Sequence, residues 1–242
     1  MCRSAQRSGQ RSATVTNPHQ NVSFPSNGRT AHGYLATPSG SGPGVVVIQE
    51  WWGLTDHVAD VADRLAAEGF VALAPDLYGG RTTHDGKEAA RLMQELPVDR
   101  AARDLAGAVD FLLKHEQVTS SSVGVVGFCM GGKFAIVLGA QQGDRVGAVV
   151  PFYGLPSVAE TDFSGLTAPV LCHFGEYDRT ISVDAVGELR DKIQQQSPVR
   201  PQIYFYPAGH AFFNDQNPAS YHEDSARTAW PRTLDFLRRH LA

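Results

Sequence analysis

The chain has 242 residues, 21 basic and 25 acidic, and a formal net charge of −4. This length and composition suit one α/β domain and exclude a disordered, collagenous or coiled-coil protein. No apolar run approaches the ~18 residues needed to cross a bilayer, and the mild acidity of the bulk argues against a nucleic-acid partner.

Taken in chain order, the first feature is a charge asymmetry. No Asp or Glu precedes Glu50, so the first 49 residues carry +4 from Arg3, Arg7, Arg11 and Arg29, leaving −8 for the remainder. An Arg- and Ser-rich, acid-poor head has the composition of a transit peptide. Residues 1–20, however, lack the large apolar residues of an amphipathic face or a signal-peptide core, and they read as a disordered tail before a single domain over 21–242. Asn21–Pro25 and Arg29–Thr37 read as a hairpin around Ser26-Asn27-Gly28, because Asn and Gly tolerate positive φ. Val45–Gln49 has no polar alternation, as a buried parallel strand requires.

Thr55 or Asp56 can cap a helix with Val58, Val61, Ala62 and Leu65 on one face, which Gly69 can end. Phe70–Ala74 is the next strand, stopped by Pro75. A polar helix over Lys87–Leu96 follows, then after Pro97 a second with Ala102, Leu105, Val109 and Leu112 inward. Strand Val123–Val126, helix 132–141, strand Val146–Tyr153 and a loop over 154–168 come next. Strand Val170–Phe174, helix Val183–Gln196 and strand Gln202–Tyr206 complete the alternation. A last helix over Ser220–His240 turns Ala226, Trp230, Leu234, Leu237 and Leu241 inward, with a kink or restart expected at Pro231. Alternating strands and helices predict an α/β fold, with a mostly parallel sheet covered on both faces and its site at the strand C-terminal ends.

The sharpest chemical signal is Gly127-x-Cys129-x-Gly131, between a buried strand and a helix. A nucleophile elbow needs that context: small neighbours allow the sharp turn, and the helix N-terminus favours the reactive thiolate. The same stretch nearly spells a phosphate loop through Lys133, but Phe134 stands where a magnesium-binding hydroxyl belongs. A cysteine nucleophile needs a base and an orienting acid. Asp178 follows the strand ending at Phe174, with Glu176 as its competitor, and His210 follows the strand ending at Tyr206. Both are loop positions where side chains can converge, in the order nucleophile, acid, histidine. His173 reads as a core residue, and His57 and His222 as surface residues of helices. No His, Cys and Asp set has metal-ligand spacing. The three cysteines, Cys2, Cys129 and Cys172, are too few for a disulfide framework and suit a reducing, cytoplasmic compartment.

From about Asn21 to Leu241 the chain resembles the dienelactone hydrolases, within the α/β-hydrolase superfamily. The resemblance is carried by Gln49-Glu50-Trp51-Trp52-Gly53, Ala74-Pro75-Asp76-Leu77-Tyr78, Gly127-Phe128-Cys129-Met130-Gly131-Gly132, Gly175-x-x-Asp178 and Gly209-His210-x-Phe212. It implies an α/β-hydrolase fold and a cofactor-free, metal-free hydrolase of small lactones or esters. Carboxymethylenebutenolidase-like chemistry on a Cys129–His210–Asp178 triad is the leading form. A promiscuous carboxylesterase or thioesterase is the first alternative, and a catalytically weak ligand-binding relative the second. The resemblance further implies that Glu50 contacts the resting thiol and keeps it protonated, and that the backbone N–H groups of Trp51 and Met130 form the oxyanion hole. Of two arginines that bind a substrate carboxylate in such enzymes, Arg81 matches one after an extra glycine, and Asn214 stands at the other. The pocket should therefore prefer less anionic substrates. Trp52, Tyr78, Tyr153 and Phe212 are its expected aromatic walls, and a monomer or small homo-oligomer is the expected state.

Overall fold

The computed structural model describes residues 17–242. The reading of the head as a disordered tail, with Cys2, Arg3, Arg7 and Arg11, falls outside the described residues up to position 16. Residues 17–20 correct that reading. Asn17 Nδ2 donates to the Leu54 carbonyl (2.8 Å), His19 Nε2 lies 2.6 Å from Asp56 Oδ1, and Gln20 Nε2 donates to Asp76 Oδ2 (2.8 Å). These polar groups tie the segment onto the loops that follow the next strands.

The predicted hairpin forms between β1 (Val22–Ser26) and β2 (Arg29–Ala36), with Asn27 and Gly28 at φ 43° and 84° as the tight turn requires. Six further strands follow: β3 (Gly44–Ile48), β4 (Val71–Pro75), β5 (Val123–Phe128), β6 (Val146–Phe152), β7 (Leu171–Gly175) and β8 (Gln202–Tyr206). The sheet order is β1-β2-β4-β3-β5-β6-β7-β8. The hairpin pairs antiparallel with itself and with β4, and every pairing from β4 to β8 is parallel.

Six helices connect the strands and cover both faces: α1 (Asp56–Ala67), α2 (Gly86–Glu95), α3 (Val98–Leu113), α4 (Met130–Gln142), α5 (Val183–Gln196) and α6 (Glu223–Leu241). The strand period of two divides the core between them. Val45 and Val47 of β3 pack with Val58, Val61 and Leu65 of α1 and with Leu234 and Leu237 of α6. Val46 and Ile48 pack on the other face with Leu105 and Val109 of α3 and Ile136 of α4. A Cβ on Gly124 would stand 2.8 Å from Leu237 Cδ2, so β5 carries a glycine where α6 presses closest. Gly69, at φ 93°, ends α1: its N–H reaches the Ala66 carbonyl and the Phe70 N–H reaches Leu65. No helix among the described residues is long and apolar enough to cross a membrane.

Five expectations are corrected. The inner face of α3 uses Ala101, not Ala102, beside Leu105, Val109 and Leu112. His57 is buried, because the first turn of α1 sets its imidazole edge-on to Phe128 and Phe213, with Nδ1 3.3 Å from Asp215 Oδ1. α6 starts at Glu223, where His222 caps it by accepting from the Ser225 N–H, and runs through Pro231 without a break. Buried Ala229, Thr233, Leu234 and Leu237 grip that helix on both sides of the proline. Trp230 is only partly buried, under the Arg64 guanidinium 4.5 Å from its ring.

His173, in the core as expected, bonds through Nδ1 to the Tyr206 hydroxyl (2.7 Å) and through Nε2 to Thr233 Oγ1 (3.1 Å). Burial, aided by the Arg232 charge, lowers its pKa to about 3. Because the folded pKa lies below the ordinary value near 6.5, stability is fully present above ~6.5 and is lost as pH falls toward ~3. Thermal melts should show wild type losing more Tm than His173→Gln between pH 6.5 and 4; parallel slopes would contradict this.

Candidate active site

β5 ends at Phe128 and α4 begins at Met130, so Cys129 alone makes the turn, at φ 52° and ψ −115°. That backbone region is costly for a residue with a Cβ and persists only where its surroundings impose it. The Cys129 N–H donates to the Phe152 carbonyl (3.0 Å), pinning the turn to the end of β6. Its neighbours leave no room for side chains. A Cβ on Gly127 would lie 2.1 Å from the Gly131 carbonyl oxygen, and one on Gly131 would lie 2.2 Å from that of Ile48. The turn lifts the thiol to the C-terminal edge of the sheet.

There Cys129 Sγ lies 3.2 Å from His210 Nε2, and His210 Nδ1 lies 2.7 Å from Asp178 Oδ2. Asp178 Oδ1 accepts from the Thr180 N–H (2.8 Å), the Thr180 hydroxyl (2.7 Å) and the Ile181 N–H (3.2 Å). Three donors on one oxygen leave the other for His210. Burial works to raise the Asp178 pKa, but the bonds from His210 and Thr180 outweigh it and hold the carboxyl below its ordinary range. An ionised Asp178 selects the tautomer with the proton on Nδ1, so Nε2 faces the thiol. Burial disfavours a charged His210, yet its bonds to Asp178 and Cys129 prevail and raise its pKa to about 10. Its two partners thus favour the charged form of the ring. The competitor Glu176 is exposed.

Glu50 follows β3 and is buried. Its Oε1 accepts from the Tyr153 hydroxyl (3.3 Å) and its Oε2 from Asn214 Nδ2 (2.7 Å). The Tyr153 pKa is pushed up by burial and then by the nearby Glu50 and Cys129 charges, so the phenol keeps its proton and donates. Among the described residues no hydrogen bond joins Glu50 to Cys129. The two carboxylate oxygens are engaged by Tyr153 and Asn214 instead. The N–H groups of Trp51, after β3, and Met130, the first residue of α4, have no acceptor among the described residues.

These groups open onto a cavity of about 520 Å³, walled by Trp51, Trp52, Tyr153, Met93, Leu155 and Ile181, with Lys133 at its exposed edge. Trp52 and Tyr153 stand where the sequence places them. Other expected wall residues do not. Phe212 is fully buried against Tyr153 and Tyr206. Tyr78 lies behind Met130, its hydroxyl 3.4 Å from the thioether. Asn214 is buried and spends its amide on Glu50. Arg81 follows two left-handed glycines, Gly79 and Gly80, which turn it toward α2, where it pairs with Glu95 (3.4 Å). Thr180, Met93 and Ile181 went unnoticed in the sequence, and Lys133 entered only as the end of a near phosphate loop. Thr180, two residues after Asp178, has a local spacing that signals side-chain-to-backbone bonding. Among the described residues no group of three His, Cys, Asp or Glu is placed to hold a metal ion.

The dienelactone hydrolase family model matches residues 31–241. The relative named "Protein usf" of Aquifex pyrophilus is 34% identical, covering 92% of this chain and 99% of its own length. A "Putative carboxymethylenebutenolidase" of Aquifex aeolicus is 32% identical with the same coverage. Among solved structures, the "Putative Dienelactone Hydrolase" of Klebsiella pneumoniae superposes with a TM-score of 0.80 at 31% identity, covering 90% of this chain and 96% of that one. A dienelactone hydrolase-like promiscuous phosphotriesterase from metagenomic libraries reaches a TM-score of 0.80 at 27% identity, over 91% and 97%.

Two outcomes follow for the thiols. Burial raises the Cys172 pKa to about 12, so peptide mapping after brief iodoacetamide treatment at pH 7 should find Cys129 modified and Cys172 intact; equal labelling would contradict the site geometry. Asn214→Ala should slow Cys129 alkylation, because a Glu50 oxygen freed of its donor can turn to the thiol and hold its proton. An unchanged rate across pH would show that Asn214 does not hold Glu50 back.

Proposed function

The chain belongs to the dienelactone hydrolase family and is a hydrolase, and from that premise we propose that it cleaves small lactones or esters through a thioester on Cys129. The observation that carries this reading is the unbroken line Asp178–His210–Cys129, at 2.7 and 3.2 Å, beside two unengaged amides.

The Sγ proton passes to His210 Nε2, the direction that the raised His210 pKa favours. The thiolate attacks the carbonyl carbon, and the N–H groups of Trp51 and Met130 receive the negative charge that develops on oxygen. As the tetrahedral species collapses, the carbon–oxygen bond to the leaving group breaks and His210 returns its proton to that alkoxide or enolate. In a lactone the leaving oxygen stays tethered, so the ring opens. His210 then takes a proton from water, hydroxide adds to the thioester, and the sulfur leaves with the proton from His210. Asp178 stays ionised throughout, holding the imidazole and stabilising its charged form.

The cavity, about 520 Å³ and largely apolar, suits a small ester body. Arg81 and Asn214 are both spent on neighbours, which favours ordinary carboxylic esters over the doubly clamped carboxylate of a dienelactone. Carboxylesterase activity is therefore the second reading, on the same cysteine and the same steps. A nucleophilic thiol fits the reducing, cytoplasmic setting inferred from the cysteine count.

Cys129→Ala should abolish p-nitrophenyl acetate turnover while leaving the circular dichroism spectrum unchanged. Asp178→Asn should lower kcat by about 10³–10⁴-fold, because the imidazole loses its tautomer. Turnover that survives Cys129→Ala would remove the nucleophile from the account.

A further inference from the structure

Thr180 stands in the loop between β7 and α5 and lines the catalytic cavity. Its hydroxyl oxygen lies 2.7 Å from Asp178 Oδ1 and also 3.1 Å from His210 Nδ1. A hydroxyl has one hydrogen to give and lone pairs to receive with. An ionised carboxylate can only accept, so that hydrogen goes to Asp178 Oδ1. Toward His210 the oxygen can then only accept, which requires a proton on Nδ1. The same Nδ1–H reaches Asp178 Oδ2 at 2.7 Å, so it is shared between two acceptors. The local backbone fixes where the hydroxyl stands. The N–H groups of Thr180 and Ile181 both donate to Asp178 Oδ1, and the Ile181 side chain packs against the core. The Asp178 side chain is fully buried, and a carboxylate in that position stays ionised only with donors to meet it.

We propose that Thr180 is a positioning residue of the active site: its hydroxyl, donating to Asp178 and accepting from His210, holds the imidazole with its proton on Nδ1 and its Nε2 toward Cys129. This rests on the reading of Cys129, His210 and Asp178 as the catalytic line. A ring tied through one acceptor can pivot about that bond, whereas a ring tied through two has one orientation. Tyr153, edge-on to the imidazole with centroids 5.2 Å apart, flanks the ring as well. Orientation matters most while the proton is moving, so the hydroxyl acts on kcat and leaves substrate binding alone.

The test uses the full-length protein. Thr180→Val keeps the shape of the side chain and its backbone N–H but puts a methyl group in place of the oxygen. It should lower kcat on p-nitrophenyl acetate by roughly 10-fold with KM nearly unchanged, and Thr180→Ser, which keeps the hydroxyl, should recover most of the loss. The low-field NMR resonance of the His210 Nδ1–H, assigned by its disappearance in His210→Gln, reads the orientation without turnover. It should be present in wild type and Thr180→Ser and broadened by solvent exchange in Thr180→Val. In an Asp178→Asn background, Thr180→Val should cost less than about 2-fold, because the tautomer it guards is already lost. A wild-type kcat or a wild-type Nδ1–H resonance in Thr180→Val overturns the assignment. A loss through KM alone, or one of equal size in both backgrounds, also overturns it, because it would make Thr180 a wall of the cavity only. Failure of the catalytic reading shows separately, as ester turnover that survives Cys129→Ala.

Discussion

The single residue of backbone between β5 and α4 is the constraint on which the site depends. Cys129 sits at φ 52°, where a side chain is strained, and the turn closes only because the chain on either side carries glycine. Gly131 lies so close to the Ile48 carbonyl that a methyl group would overlap it. That contact presses the start of α4 against the end of β3. Trp51, Met130 and Cys129 accordingly line the same cavity. The elbow thus fixes where Cys129, the proposed nucleophile, stands, and the Trp51 and Met130 amides are the donors proposed to meet the charge that its attack would create.

The rest of the site is a matter of fixing orientation with hydrogen bonds. Parallel strands β7 and β8 end side by side, so Asp178 and His210 leave the sheet at one edge. Thr180 and Ile181 occupy one oxygen of Asp178 and leave the second for the imidazole. The result is an imidazole oriented with Nδ1 toward Asp178 and Nε2 toward the thiol. Glu50 follows the same logic with the opposite purpose. Tyr153 and Asn214 engage one oxygen each of a buried carboxylate that lines the same cavity as Cys129. A thiolate beside a free carboxylate would be a like-charge pair, and each would raise the other's pKa.

What could be read from the sequence divides along physical lines. The sheet and its helices were legible because buried parallel strands such as Val45–Ile48 are uniformly apolar, and helices such as α1 repeat their apolar residues every three or four. The convergence of Cys129, His210 and Asp178 was legible because Gly127 and Gly131 allow the sharp turn at Cys129 and because the other two residues sit just past strand ends. Side-chain direction was not legible. Arg81 reads as a substrate-facing cation, yet two left-handed glycines turn it to Glu95. Phe212, two residues after His210, points into the core. His57 looks exposed on a helix whose first turn in fact faces Phe128. Pro231 reads as a break, but packing of α6 against β5 and β6 overrides the loss of one hydrogen bond. In each case tertiary packing settled what local pattern left open.

The most direct test of the account is to trap the acyl group. Wild-type protein mixed with p-nitrophenyl acetate, quenched in acid during turnover and digested, should yield the peptide containing Cys129 heavier by one acetyl group, with nothing at that mass from Cys129→Ala. Steady turnover with no acyl group on Cys129, or an acyl group found on another residue of the site, would contradict it.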